Sequence, residues 1–369
     1  MIPVNEPLIG EKESIYVSEC LKTGWISSGG KFIEEFENKF ASYIGMKHGI
    51  AVNNGTNALI LALRVLDLPA GSEVIMPTFT IISCALACIY NNLKPVLVDC
   101  EPDTWNMNVS QIEEKITEKT KAIMVVHIYG HPVDMNSVIE IAKKYNLYII
   151  EDAAEAIGAE YKGQKCGTFG DLGCFSFYAN KTITTGEGGM VLTDDNRLAE
   201  KLRRLRNLGF IPQHRFYHEE LGYNFRMTNI QAAIGLAQLE RIEEHINIKR
   251  KIGKLYTEFL KDIPYLQLPV EKEWAKNIYW MYGIVLDEKT AIDAEELGKK
   301  LLKNEIQTRP FFLGMHEQPV FHKMGLFVDE HYPVAERIAK QGLYLPSGLT
   351  LKKEEIKKIT KAIEKILEN

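Results

Sequence analysis

The chain has 369 residues, 46% hydrophobic and 25% charged, with 44 Lys and Arg against 49 Asp and Glu for a formal net charge of −5. That length supports a sizeable core and one large plus one smaller domain, and the ordinary balance excludes disordered and fibrous classes. Slight acidity leaves no global basic field for nucleic acid or an anionic membrane, so any phosphate-bearing ligand has to be held locally.

The start, MIPVNEPLIGEKES, lacks a basic region followed by an apolar core. No stretch approaches the roughly 18 apolar residues of a membrane span, so a soluble cytoplasmic protein is expected. From about residue 48 a pattern repeats: HGIAV precedes TNALILALRVL, SEVIMP precedes IISCALACIY, and KPVLVDC leads toward SQIEEKI. KAIMVVHIYG then precedes MNSVIEIAKKY, which leads to LYIIED. Short strands apolar on both faces, alternating with helical periods, predict an α/β domain whose mostly parallel sheet is covered on both sides.

After GGMVLTD the sequence predicts a basic helical stretch at 195–208, a loop containing Gly, Pro and His at 209–224, and one long helix running from near Thr228 to Leu260. Beyond DIPYLQLP the texture changes: IYWMYGIVL alternates like a strand, while AEELGKKLLKN and KKEEIKKITKAIEKILE read as surface helices. The domain change is placed on the long helix, giving a large domain over 1–245 and a small α/β domain over 246–369. Cys20, Cys84, Cys88, Cys100, Cys166 and Cys174 are scattered through apolar stretches without metal spacing, which predicts reduced, packed thiols and no metal.

In open parallel sheets ligands gather at the carboxyl ends of strands, so residues just past each apolar run are the candidates for chemistry. VNNGTNAL (52–59) joins a strand to a helix and presents free N–H groups and a hydroxyl, either as an anion site or as an ordinary turn and cap. No Walker lysine and no G-x-G-x-x-G accompany it, which disfavours nucleotide hydrolysis and a Rossmann site. YIIEDAAEAIG (148–158) ends a strand with Glu151 and Asp152, then Glu155; a buried aspartate calls for a cation or strong donor, such as a protonated pyridine nitrogen. FSFYANKTITTGEGG (175–189) adds Ser176 and Lys181, the lysine being either a snorkelling surface charge or a desolvated amine able to react with an aldehyde. A phosphate cradle, a strand-end aspartate and a downstream lysine together fit pyridoxal 5′-phosphate (PLP).

The stretches NNGTNAL, EDAAEAIGA, GTFGDLGCFSFYANKTITTGEGGM and LGYNFRMTNIQAAIGLAQLERI resemble the sugar aminotransferases of the DegT/DnrJ group, from GWISSGGKFIEEFE to TRPFF. The resemblance implies the PLP fold-type I (aspartate aminotransferase-like) architecture and a homodimer with shared active sites, with pairing into tetramers open. It implies L-glutamate as amino donor and a nucleotide-linked 4-keto-6-deoxy sugar as acceptor at C4, GDP-4-keto-6-deoxymannose first. A UDP- or dTDP-linked keto sugar, at C4 or C3, is the alternative. A PLP-dependent sugar 3-dehydratase is a further one, disfavoured because its known forms replace the lysine with histidine. A PLP-binding regulator without turnover would need a further domain.

By the same resemblance, Lys181 would carry PLP and move protons, Asp152 would keep the pyridine nitrogen protonated, and Glu155 would lie near the cofactor's 3′-oxygen. Gly55, Thr56 and Ser176 would hold the phosphate with Asn224 of the partner subunit, Asn229 being the fallback for that last role. Trp25, Ile26, Ser27, Ser28, Arg226, Arg309 and Phe311 would line the approach of the sugar nucleotide. Ile81 stands where close relatives often have an aromatic residue stacked on the PLP ring, which predicts altered cofactor packing.

Overall fold

The structure, a computed structural model, describes residues 1–211 and 214–368. Seven strands form the central sheet: β1 (His48–Val52), β2 (Glu73–Pro77), β3 (Lys94–Val98), β4 (Thr120–Val126), β5 (Tyr148–Asp152), β6 (Leu172–Ser176) and β7 (Gly189–Thr193). Their spatial order is β1-β7-β6-β5-β4-β2-β3. The pairs from β6 across to β3 are parallel, as the alternating strands and helices predict. Only β7 runs against its neighbours, because β6 reaches it through the Lys181 loop without a crossover helix.

The aromatic run at the end of β6 shows why the sequence folds this way. Phe175 and Phe177 are fully buried and each stands 5.0 Å from the ring of Phe40 on the helix Lys31–Ile44. Alternation along an extended strand sends the intervening Ser176 to the other face. The aromatic pair thus anchors the strand in the core while Ser176, whose hydroxyl accepts the Tyr178 amide at 3.3 Å, lines a pocket. All six cysteines are free and buried, as expected.

A second, four-stranded sheet is built from Leu266–Gln267, Tyr282–Leu286, Gly342–Leu345 and Arg309–Pro310, in that spatial order. The expected long helix is two helices, Asn229–Leu239 and Ile242–Leu260. The break falls at Glu240 and Arg241, where Glu240 turns outward to pair with Lys12 at 2.7 Å and Arg241 leaves helical backbone angles. Apolar spacing continues across the break, so periodicity alone does not register it. On the second helix Ile242 and Ile246 join the first core, while Ile252, Tyr256 and Leu260 join a second core. We propose the domain boundary near residue 245 on that basis, with Ile2 returning from the N-terminus into the second core. The stretch read as a loop at 209–224 contains a hairpin of Phe210–Ile211 and His214–His218; residues 212 and 213 lie outside the described residues.

Candidate active site

The carboxyl ends of β5 and β6, the turn past β1 and the loop past β2 converge on a cavity of about 320 Å³. Gly55, Thr56, Ile81, Asp152, Glu155, Ser176 and Lys181 line it, and Trp280, Phe312 and Tyr344 reach it from the C-terminal part of the chain.

Lys181 is no surface charge: its side chain is only 11% exposed. Its Nζ lies 3.6 Å from Glu155 Oε1 and 3.7 Å from the centre of the Trp280 ring. Burial lowers the affinity of this amine for its proton, against the pull of Glu155 and Asp152. Burial also lifts Glu155 to about 7, opposed by Lys181 and by the Tyr129 amide, which donates to Glu155 Oε2 at 2.8 Å. Tyr129 makes that bond from the left-handed region, with φ 51°, a conformation a tyrosine holds only when its surroundings enforce it.

Asp152 is 4% exposed and fixed at both oxygens. Oδ1 accepts the Ala154 amide at 3.1 Å and Oδ2 accepts the Cys84 thiol at 3.3 Å. Burial raises its pKa, while the Ala154 and Cys84 donors and the charge of Lys181 hold it down.

The turn past β1 is a helix start. Asn54 caps Gly55–Val65 by accepting the Asn57 amide at 2.8 Å, and Thr56 Oγ1 shares a 2.8 Å hydrogen bond with Ser83 Oγ. A Cβ on Gly55 would stand 2.7 Å from Ser176 Cβ, so only glycine lets this helix start lie against the end of β6. The first N–H groups of a helix have no partner within it and favour an anion. A desolvated lysine, a buried strand-end carboxylate and a glycine-built helix start flanked by hydroxyls fit the aldehyde, ring nitrogen and phosphate of PLP.

Of the remaining predicted residues, Ile81 lines this pocket and the others lie elsewhere in the single chain. Ile81 is 42% exposed, whereas Phe79 is buried among the rings of Tyr129, Phe311 and Phe312. Phe311 also packs on Trp105 and Tyr129 in the core, and its neighbour Phe312 faces the pocket instead. Ser28 and Arg226 share another cavity of about 470 Å³ with Arg203, Arg204 and Arg206; Arg226 donates to Asn207 Oδ1 at 2.7 Å. Arg309 lines a third cavity of about 660 Å³ beside Lys299 and Lys340. Trp25, Ile26, Ser27 and Asn224 are exposed and outside the 320 Å³ pocket. Asn229 is buried at the helix start, where its side chain donates to Trp25 O at 2.7 Å and accepts the Phe32 amide at 3.1 Å, tying down the 25–32 segment.

Sequence reasoning missed Ser83, Cys84, Tyr129, Trp280 and Tyr344, and within RPFF it singled out Phe311, whereas Phe312 faces the pocket. Ser83 and Cys84 directly follow the PTFTII segment and were within reach of a strand-end reading. Trp280 sits in an alternating stretch that reads simply as a strand, and no local signal tells that it faces Lys181.

The chain matches the DegT/DnrJ/EryC1/StrS aminotransferase family over residues 7–364. It is 45% identical over 362 residues to GDP-perosamine synthase of Escherichia coli O157:H7, a match covering 98% of this chain and 97% of that one. Among solved structures it is similar to Helicobacter pylori PseC, an aminotransferase involved in the biosynthesis of pseudoaminic acid, with a TM-score of 0.95 and 28% identity over 100% of this chain and 99% of that one. It is also similar to the PLP form of a Streptococcus pneumoniae protein, with a TM-score of 0.93 and 26% identity over 100% and 98% of the two chains.

Proposed function

The chain belongs to the DegT/DnrJ/EryC1/StrS aminotransferase family and is a PLP-dependent aminotransferase, and from that premise we propose that it transfers the amino group of L-glutamate to C4 of a nucleotide-linked 4-keto-6-deoxy sugar, GDP-4-keto-6-deoxymannose, yielding GDP-perosamine. The observation that carries the chemistry is the buried Lys181 amine, 3.6 Å from Glu155 in a pocket shared with Asp152 and the Gly55 helix start. The likeness to GDP-perosamine synthase over nearly the full length supports the choice of acceptor.

PLP, when bound, supplies an aldehyde that takes up the amino group and a ring that accepts electrons from the reacting carbon. Gly55, Thr56 and Ser176 would hold its phosphate, joined by Asn224 of the partner subunit in a homodimer. Asp152 would keep its ring nitrogen protonated. Lys181 Nζ would anchor it, take the proton from the α-carbon of glutamate, and later return a proton to C4 of the sugar. Glu155, balanced near neutrality, would exchange a proton beside that amine. Trp280, Phe312 and Tyr344 exclude water on the side of the pocket that the C-terminal part supplies.

Phe311 is buried in the aromatic core and drops out; Trp25, Ile26, Ser27, Ser28, Arg226 and Arg309 remain our assignment for the sugar nucleotide. Because these residues lie outside the 320 Å³ pocket, the nucleotide would extend beyond it, toward surfaces that the dimer completes. Among the described residues no helix is long and apolar enough to cross a membrane, and we place the reaction in the cytoplasm.

The test mixes purified protein with PLP, L-glutamate and GDP-4-keto-6-deoxymannose and follows the sugar by mass alongside 2-oxoglutarate. An amino-sugar mass with matching 2-oxoglutarate supports the reading. If 2-oxoglutarate stops at the level of enzyme, the donor half is right and the acceptor wrong, and UDP- and dTDP-linked keto sugars are tried next.

A further inference from the structure

Lys249 is a fully buried lysine, 1% exposed, that the proposed chemistry does not use. It sits on the helix Ile242–Leu260 between Ile246, which packs in the first core, and Ile252, which packs in the second. Its Nζ donates to the carbonyl oxygens of Trp280 at 2.9 Å and Ser347 at 2.5 Å. Among the described residues no carboxylate stands within ion-pair distance of it. A cation buried without a counter-ion is destabilising, so two carbonyl contacts alone do not explain its presence. Burial accordingly pushes this amine down to about 7, and the charge of Lys181 pushes it the same way.

The carbonyl that Lys249 holds belongs to the residue whose ring covers Lys181. The Trp280 ring centre is 3.7 Å from Lys181 Nζ, and Trp280 Nε1 donates at 2.8 Å to the carbonyl of Asn180, the residue before Lys181. Trp280 is therefore held at its backbone by Lys249 and at its indole by the lysine loop. One turn earlier on the helix, His245 Nδ1 donates to the carbonyl of Thr182, the residue after Lys181, at 3.1 Å. Positions four apart share a helix face. One face of one helix thus reaches both flanks of Lys181.

We propose that Lys249 is a positioning residue for Lys181: by fixing the Trp280 carbonyl it sets the indole against the Lys181 amine and keeps that amine desolvated. The inference rests on Lys181 being the lysine that takes up PLP.

The test measures how fast the cofactor-free protein takes up PLP, read from the visible band, as a function of pH, in wild type, Lys249→Met, Trp280→Phe and the double variant. Uptake needs the unprotonated amine, so its midpoint reports the proton affinity of Lys181. Lys249→Met is expected to raise that midpoint by about one pH unit, a tenfold change in proton affinity. Trp280→Phe should move it the same way, and the double variant should go no further than Trp280→Phe alone. An unmoved midpoint in Lys249→Met, or an equal further shift in the Trp280→Phe background, would overturn the proposal. Where circular dichroism shows that Lys249→Met does not fold, Lys249→Arg, which keeps the charge but alters its reach to the two carbonyls, goes through the same backgrounds and is judged alike. A wild type that forms no visible band would overturn the reading of Lys181 itself, a failure distinct from that of Lys249.

Discussion

Glu155 faces two partners at once: Oε1 lies 3.6 Å from Lys181 Nζ, and Oε2 accepts the Tyr129 amide at 2.8 Å. Burial raises the proton affinity of the carboxylate and lowers that of the amine, so the two approach each other. Burial thus narrows the gap in proton affinity between carboxylate and amine, which suits a lysine that must both accept and return a proton.

Lys181→Ala should abolish both the visible band of the lysine-bound cofactor and turnover. Absorbance after adding PLP, followed by the coupled assay above, checks this. A variant keeping both would remove Lys181 from its assigned role.

Glu155→Gln should change how the cofactor-free protein responds to pH. Between the ordinary carboxylate value of 4.5 and about 7 the folded Glu155 keeps a proton that the unfolded chain has lost. Unfolding there releases a proton, so this residue's contribution falls as pH rises through that window. The glutamine variant lacks this loss and should gain on wild type by at most about 1.4 kcal/mol per pH unit. Urea unfolding at several pH values between 4.5 and 7 measures it; parallel stability curves would contradict the assignment.

Asp152→Asn should slow both half-reactions, because an amide no longer favours a protonated ring nitrogen. Cys84→Ala removes the donor on Asp152 Oδ2 and should loosen PLP several-fold, while Cys84→Ser, which restores a donor, should recover most of it. Equilibrium dialysis of PLP separates the three variants. Equal retention in the alanine and serine forms would show that the thiol only fills space.

Gly55→Ala should weaken PLP binding about tenfold or more and destabilise the protein by about 1–3 kcal/mol, the range for overpacking. The added carbon would stand 2.7 Å from Ser176 Cβ, and both positions belong to regular elements that cannot move apart cheaply. PLP titration and thermal melting read the two effects separately.

Much of this site was legible before any fold was known, for a local reason. Asn54-Gly55-Thr56, Asp152, Ser176 and Lys181 each stand at or shortly beyond the end of an apolar strand, and in a parallel sheet such positions fall at one edge whatever the rest of the chain does. Together these residues already fitted PLP, and the resemblance of the quoted motifs then gave each of them its role. The helix break at Glu240 and Arg241 stayed hidden because apolar spacing runs straight through it.

Sequence by itself determined the α/β class, the strand-end residues and the lysine among them, since hydrophobic period and turn chemistry act over a few neighbours. Tertiary structure alone decided what surrounds that lysine: Trp280, Tyr344 and Phe312 at the pocket, Cys84 on Asp152, and Lys249 behind Trp280. Cys84, Trp280, Phe312 and Tyr344 come together in and against the first core, and Lys249 reaches Trp280 from the helix Ile242–Leu260, which packs in both cores. Their geometry depends on how whole elements pack together, which no spacing along the chain records.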